Sequence, residues 1–137
     1  MRQAIVELTV RTPGQGLHEF TRTVAEWVAG TGIASGLLTL FIRHTSASLL
    51  VQENAAPAAR SDLERYFARV APEGEYEHDD EGPDDMPAHL RAALTATSLS
   101  IPVADGRPML GTWQGIYLFE HRSAAHRRSV AAHLIGT

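Results

Sequence analysis

The sequence predicts an α+β fold: a largely antiparallel sheet or sandwich with about three helices. Three observations carry that prediction. The chain has 137 residues, about the size of one domain with a real core. Its hydrophobic and charged fractions, 44% and 20%, are those of an ordinary globular protein. The element order read along it is β-α-β-β-α-α-β-β-β, which lacks the regular strand–helix alternation of a parallel sheet.

Each element has its own reason. Residues 4–10, "AIVELTV", alternate apolar and polar as a half-buried strand does, and "RTPGQG" breaks the pattern. Leu17, Phe20, Val24, Trp27 and Val28 recur at helical spacing, ending at Gly30 and Gly32. "GLLTLFIRHTSASLLVQEN" carries two apolar blocks of strand length, 37–42 and 48–52. Pro57 opens a second helix with Leu63, Tyr66, Phe67 and Val70 on one face. Asp85 reads as the N-cap of a third helix at Met86-Pro87, with Leu90, Ala93 and Leu94 as its apolar side. "SLSIPV" is a strand, "ADGR" holds an Asp-Gly turn signal, and "GTWQGIYLFEH" and "RRSVAAHLIG" close the chain as strands. No linker, repeat or low-complexity tract divides it, so residues 1–137 read as a single domain.

Trp113, Tyr117, Phe119 and His121 share one strand parity; Thr112, Gln114, Ile116, Leu118 and Glu120 share the other. Both sets are partly apolar, which predicts helices over one side of the sheet and a partner subunit over the other. No apolar run reaches the roughly 20 residues of a membrane helix. "MRQAIVELTV" lacks the apolar block and cleavage site of a signal peptide, so a cytoplasmic location and no membrane partner are expected.

The absence of Cys removes disulfides and thiolate chemistry, and the absence of Lys removes Schiff bases and the P-loop lysine. All 12 basic residues are Arg, whose planar fork suits phosphate and carboxylate. Net charge is −4, but eight of the 16 acids fall between Glu73 and Asp85, leaving twelve Arg against eight acids elsewhere. Such a balance lacks the continuous basic face that nucleic acid requires.

That acidic segment, within "EYEHDDEGPDDMPAHL", poses the functional question: dense like charges repel unless something positive joins them. His78 lies inside it and His89 in the first turn of the following helix, while His44 sits where "LFIR" meets "HTSA". His78 and His89 converge if the loop with Gly82 and Pro83 folds back. Neutral imidazoles with a carboxylate hold a divalent transition metal, most simply Zn²⁺. The alternative is that the acids alone take a hard cation such as Mg²⁺ or Ca²⁺. His18, His126 and His133 have no such context and read as structural. "TPGQGLHEF" resembles a dinucleotide fingerprint, but Glu19 stands where the third Gly belongs. No Ser sits in a nucleophile elbow. In "GTWQG", two glycines bracket Trp113, a pattern marking close backbone approach or a bulge.

"HTSASLLVQEN", "YEHDDEGPDDMPAHL", "SLSIPVADGRPMLGTWQGIYLFEHR" and "RRSVAAHLIG" resemble the YjbQ family, described as secondary thiamine-phosphate synthases. The likeness runs from about Leu37 to the C-terminus, and Ser98 through Gln114 match that family's signature. It implies a compact α+β protomer in a homotrimer, with a pocket near subunit boundaries. It implies a divalent metal, Zn²⁺ first and Mg²⁺ or Mn²⁺ as alternatives, on His44, His78 and His89. Asp84, Asp85, Gln114, Glu120 and Arg122 would be the catalytic residues, and Ser46, Asn54, Thr112 and Trp113 would bind substrate. Where relatives carry Gly-Gly after "EHR", this chain has Ala124-Ala125.

The implied reaction joins an aminopyrimidine methyl diphosphate to a thiazole phosphate and releases pyrophosphate. Such a site needs a cation, donors for phosphate oxygens and an aromatic surface for the pyrimidine. Arg122 and the helix start would supply donors and Trp113 the surface, with no covalent nucleophile. Two other readings stay open: a metal-dependent phosphohydrolase, and a non-catalytic trimer binding metal or a small anion.

Overall fold

Eight strands and three helices follow the chain in the computed structural model, which describes residues 1–137. They are β1 (Arg2–Thr12), β2 (Gly16–Glu19), α1 (Thr21–Thr31), β3 (Gly36–Ile42), β4 (Ala47–Glu53), α2 (Pro57–Val70), α3 (Asp85–Leu94), β5 (Ser98–Ala104), β6 (Arg107–Pro108), β7 (Gln114–Glu120) and β8 (His126–Gly136). A five-stranded sheet runs β1-β8-β3-β5-β6 and a three-stranded one β2-β7-β4. Every pairing is antiparallel, as the α+β reading requires. No helix is long and apolar enough to cross a membrane.

Alternation along the strands builds the core. On β8 the buried positions are 128, 130, 132, 134 and 136, so Val130, Ala132 and Leu134 face inward with Leu38, Leu40 and Ile42 of β3. They meet Leu49 of β4 and Ile116 and Leu118 of β7, and α1 adds the fully buried Val24 and Val28. Burying each such aliphatic side chain is worth about 1.5–3 kcal/mol before entropy is counted. Gly32 ends α1 in the left-handed region, φ 74°, and donates its N–H to Ala29 O. Gly36 and Gly136 face each other across β3 and β8. A Cβ on either would approach the neighbouring strand's backbone closer than 3.0 Å, so only glycine allows this spacing.

Five expectations need correction. Leu17 is not helical: β2 pairs it with Phe119, and the helix starts only at Thr21. Gly16, at φ 129°, turns the chain, and Leu17 N–H donates to Glu64 Oε2. Asp85 is the first residue of α3 rather than its cap, and neither it nor Asp84 makes a side-chain cap bond. The buried face of α3 is Asp85, Pro87, Ala88 and Arg91, whereas Leu94 is exposed. Trp113 lies before β7, in a turn closed by Gln114 N–H donating to Gly111 O, with 62% of its surface exposed. The second side of the small sheet needs no partner: Phe67 of α2 packs edge-on against Phe119, and Arg60 lies over the Tyr117 ring. The Asp-Gly signal does form the β5–β6 hairpin, with φ 52° at Asp105 and 73° at Gly106.

Candidate functional site

The acidic loop folds back onto α3. Gly82, at φ 104°, supplies the reversal, and Asp85 N–H donates to Gly82 O at 3.3 Å. His89 lies one helical turn after Asp85 and therefore on the same face. His78 Nε2 lies 2.7 Å from Asp85 Oδ2, and His89 Nε2 lies 3.1 Å from the same oxygen. The ligand atoms of His78, Asp85 and His89 all fall within 4.8 Å of one another. A tetrahedral site with bonds of about 2.0–2.2 Å would need only small shifts of these side chains.

Acceptors stand on both sides of each ring. His89 Nδ1 is 2.9 Å from Thr45 O, a carbonyl that can only accept, so this nitrogen carries the proton. A neutral His89 then turns a bare Nε2 lone pair toward the Asp85 carboxylate. His78 has Asp85 on Nε2 and Asp80 Oδ1 3.3 Å from Nδ1. A cation among the three groups, proton or metal, removes the repulsion. The Nδ1–carbonyl bond is also the outer contact that orients a metal-binding histidine and leaves Nε2 free.

Arg122 answers the charge question posed by the loop. Its Nε donates to Asp84 Oδ2 at 3.1 Å, its Nη1 to Asp85 Oδ1 at 2.8 Å and its Nη2 to Glu81 O at 2.9 Å. Burial alone would raise the Asp85 carboxyl, but the hydrogen bond from His78 and the charges of His89 and Arg122 outweigh it and hold it low. Asp84 is lowered likewise, against its burial, by the Ser123 N–H and Arg122. His78 is raised, chiefly by its bond to Asp85. The guanidinium expected to grip substrate phosphate is thus engaged by the chain's own acids.

The other expected residues separate into two places. Glu120 is fully buried behind this cluster, where it accepts from Thr12 Oγ1 at 2.6 Å and from Arg128 Nε and Nη2 at 2.7 and 2.5 Å. Ser46 Oγ accepts from Arg128 Nη2 at 3.0 Å and is likewise buried. His44 Nε2 accepts the Ser129 N–H at 2.8 Å, so its ring is held by β8 and not by the His78–His89 cluster. His44 and His89 do share the walls of an open groove of about 480 Å³ with Phe41, Arg43 and Ala93. Asn54, Thr112, Trp113 and Gln114 gather at the opposite end of the small sheet. Asn54 Nδ2 donates to Thr112 O and Gln114 O at 3.1 and 3.3 Å, and the Gly111 N–H donates to Gln114 Oε1 at 2.8 Å. Glu53 pairs with Gln114 at that end and Ala47 with Glu120 at the other, so β7 separates the two groups by roughly 20 Å.

Two buried polar groups, Arg128 and His121, are absent from the residues expected of the site. Arg128 shares inward parity with Val130 and Leu134, and that register was the available signal. His121 is fully buried and faces α3. Its Nε2 is 2.9 Å from Ser48 Oγ, which lies 2.5 Å from Thr95 Oγ1, which donates to Arg91 O at 2.9 Å. Its Nδ1 has no partner. Burial, then the charge of Arg91, pushes the His121 imidazole down to about 3. An unfolded histidine titrates near 6.5, so between those limits the unfolded chain binds more protons. Stability is therefore full above pH 6.5 and lost as pH falls toward 3, with His121 contributing up to about 1.4 kcal/mol per pH unit. His121→Leu is expected to remove that slope from the unfolding free energy, measured by urea titration at several pH values. An unchanged slope would refute it.

With this geometry in view, comparison with known proteins is informative. The profile described as "UPF0047 protein YjbQ-like" matches residues 6–137. A UPF0047 protein of Synechocystis is 50% identical over 131 residues, covering 94% of this chain and 89% of that one. The YjbQ protein of Escherichia coli O157:H7 is 45% identical over 131 residues, covering 94% and 95%. Among solved structures, a YjbQ/UPF0047-family protein of Clostridium acetobutylicum superposes with a TM-score of 0.87 at 30% identity, covering 95% and 99%. A conserved protein of Thermus thermophilus does so at 0.84 and 35% identity, with the same coverage. The chain belongs to the YjbQ-like UPF0047 family.

Proposed function

We propose that this chain is a metal-dependent enzyme acting on a phosphorylated small molecule, joining an aminopyrimidine methyl diphosphate to a thiazole phosphate. The observation that carries the metal is the convergence of His78, Asp85 and His89 with acceptors on both nitrogens of each ring. Zn²⁺ suits two imidazoles and a carboxylate best. A divalent cation there would neutralise the charge that develops on a departing pyrophosphate. Asp85 and His89 hold the binding face, with Thr45 fixing the His89 ring. Arg122 positions Asp84 and Asp85, and Glu120 anchors Arg128 behind them, so neither meets substrate directly.

The working form is a homotrimer. In support, the outer face of the large sheet leaves Ile5 74%, Phe41 49%, Leu37 44% and Ile135 39% exposed, side chains that association would cover. A phosphohydrolase is the second reading, favoured by the side-chain exposure of His78 and His89, 41% and 29%, which admits water beside the cluster.

The test is the double variant His78→Ala, His89→Ala. Elemental analysis of purified protein is expected to find about one metal per chain in the parent and none in the variant, with turnover of the two precursors lost alongside. Equal metal in both defeats the ligand assignment. Turnover of phosphate esters without coupling of the precursors selects the hydrolase. Metal binding without either turnover leaves a binding protein.

A further inference from the structure

A second cleft, of about 290 Å³, opens between the end of α2, one side of α3 and the segment after β7, at the lower end of the size of small-molecule sites. Asp84, Pro87 and Arg91 line it, and their spacing of three and four residues puts them on one side of α3. Asp85 and His89, four apart, lie on another side, so the cleft is separate from the metal cluster. Gln15, Glu73 and Ser123 supply the rest of its polar wall, and no aromatic ring lines it. Whatever it selects is therefore selected by charge and hydrogen bonding.

Arg91 is the unusual member. It is only 7% exposed, and of the two buried arginines Arg128 is paired with Glu120 whereas Arg91 touches no acid. Its Nε and Nη2 both donate to Ala71 O, at 3.3 and 3.0 Å, and so cap the C-terminal end of α2. That structural role accounts for two of the three guanidinium nitrogens. Nη1 makes no bond within the chain. Nor is it sealed from solvent, because the sole buried side-chain nitrogen or oxygen without a partner is His121 Nδ1. Since Arg91 lines the cleft, Nη1 opens onto it. A nearly buried cation with an open donor is costly to leave unmatched, and an acceptor in the cleft would relieve that cost.

The other open groups fix what the ligand must carry. Burial lowers the Arg91 guanidinium and the charge of Glu73 opposes that shift, yet the two side chains form no ion pair and leave space between them. Gln15 donates its Nε2 to His121 O at 2.9 Å, which leaves its Oε1 free to accept. Ser123 gives its N–H to Asp84 Oδ2 at 2.8 Å, which leaves its hydroxyl free. Asp84 itself is committed to Arg122. A lone anion at Nη1 would face the carboxylates of Glu73 and Asp84, and a lone cation would face Arg91. A molecule bearing both charges meets both. We infer that the cleft binds a small zwitterion of the amino-acid class, with its carboxylate on Arg91 Nη1 and the Ser123 hydroxyl and its ammonium on Glu73 and Gln15 Oε1. The site lies within one chain and requires no metal.

The test is an NMR titration of the ¹⁵N-labelled full chain with glycine, β-alanine and γ-aminobutyrate, zwitterions of rising charge separation. At least one of them is expected to give saturable shifts of the Arg91 Nε–H, the Ser123 amide and the Gln15 side-chain amide. Acetate, methylammonium and inorganic phosphate, each carrying one sign of charge, should bind at least about tenfold more weakly, the loss of one charge-assisted contact. Arg91→Gln should abolish the shifts, but it also removes the cap of α2. Glu73→Gln is the independent variant: the side chain is exposed and makes no bond, so the fold should survive while affinity falls at least about tenfold. No saturable shift at these three groups with any of the zwitterions overturns the site. Acetate or phosphate binding as tightly as the best zwitterion, or Glu73→Gln binding it unchanged, overturns the zwitterion assignment.

Discussion

Replacing Glu120 with Ala is expected to destabilise the chain by about 3–5 kcal/mol, the cost of leaving one partner of a buried ion pair uncompensated. The carboxylate is completely buried and Arg128 nearly so, at 0% and 4% exposed. Burial would raise Glu120, but Arg128, the Thr12 hydroxyl and the Arg122 N–H outweigh it and hold it ionised. Remove the acid, and the Arg128 guanidinium keeps only the bonds to Ser46 and the weak approach to His44. Urea unfolding should show the midpoint fall with little change in the slope. The double variant Glu120→Leu, Arg128→Met separates two explanations. If the pair is a structural ion pair in an apolar register, removing both charges should restore most of the loss. If Glu120 is catalytic, Glu120→Gln should abolish turnover under conditions where the protein remains folded. The expectation from the structure is that activity tracks the folded fraction.

That result bears on how far the sequence could be read. The long strands were legible because β1 and β8 alternate over eleven residues each, and no other period fits them. β2 was not, because four residues carry no period and Leu17 falls by chance at a helical offset from Phe20 and Val24. Its strand state comes from Phe119, a partner about a hundred residues away. The orientation of α3 was misread for a related reason: it buries Asp85 and Arg91 and turns Leu94 outward, so apolar spacing pointed to the wrong side. The site divides along the same line. His78, Asp85 and His89 are near in sequence, and one glycine turn plus one helical turn brings them together. Glu120 and Arg128 both sit at inward strand positions, eight residues apart in sequence, and only the pairing of the two sheets brings them together. The resemblance implies one pocket for Trp113 and Arg122, but they flank one strand, and a strand of that length keeps its ends apart within the chain.

Asp85→Asn should lower metal affinity more than about 100-fold, beyond the 10–100-fold typical of losing a contact behind a ligand. The substitution keeps shape and removes charge, which makes it the sharpest probe of the cluster. One oxygen of Asp85 faces both imidazoles and the other takes Arg122, so a neutral amide weakens three contacts together. Two further readouts report the bond between Asp85 and His78, while metal affinity separates a ligand from a merely structural acid. In metal-free protein the His78 ring is raised by its bond to Asp85, so its NMR titration should move down toward the ordinary value of about 6.5 in the variant. In the parent, metal must displace that proton, so affinity should fall as pH drops below the raised His78 value, with proton release on binding measurable by calorimetry in buffers of different ionisation heat. The variant should release fewer protons at the same pH, because its His78 is already neutral. A structural acid predicts a loss of thermal stability and the same fall in the His78 titration, with metal content and affinity unchanged.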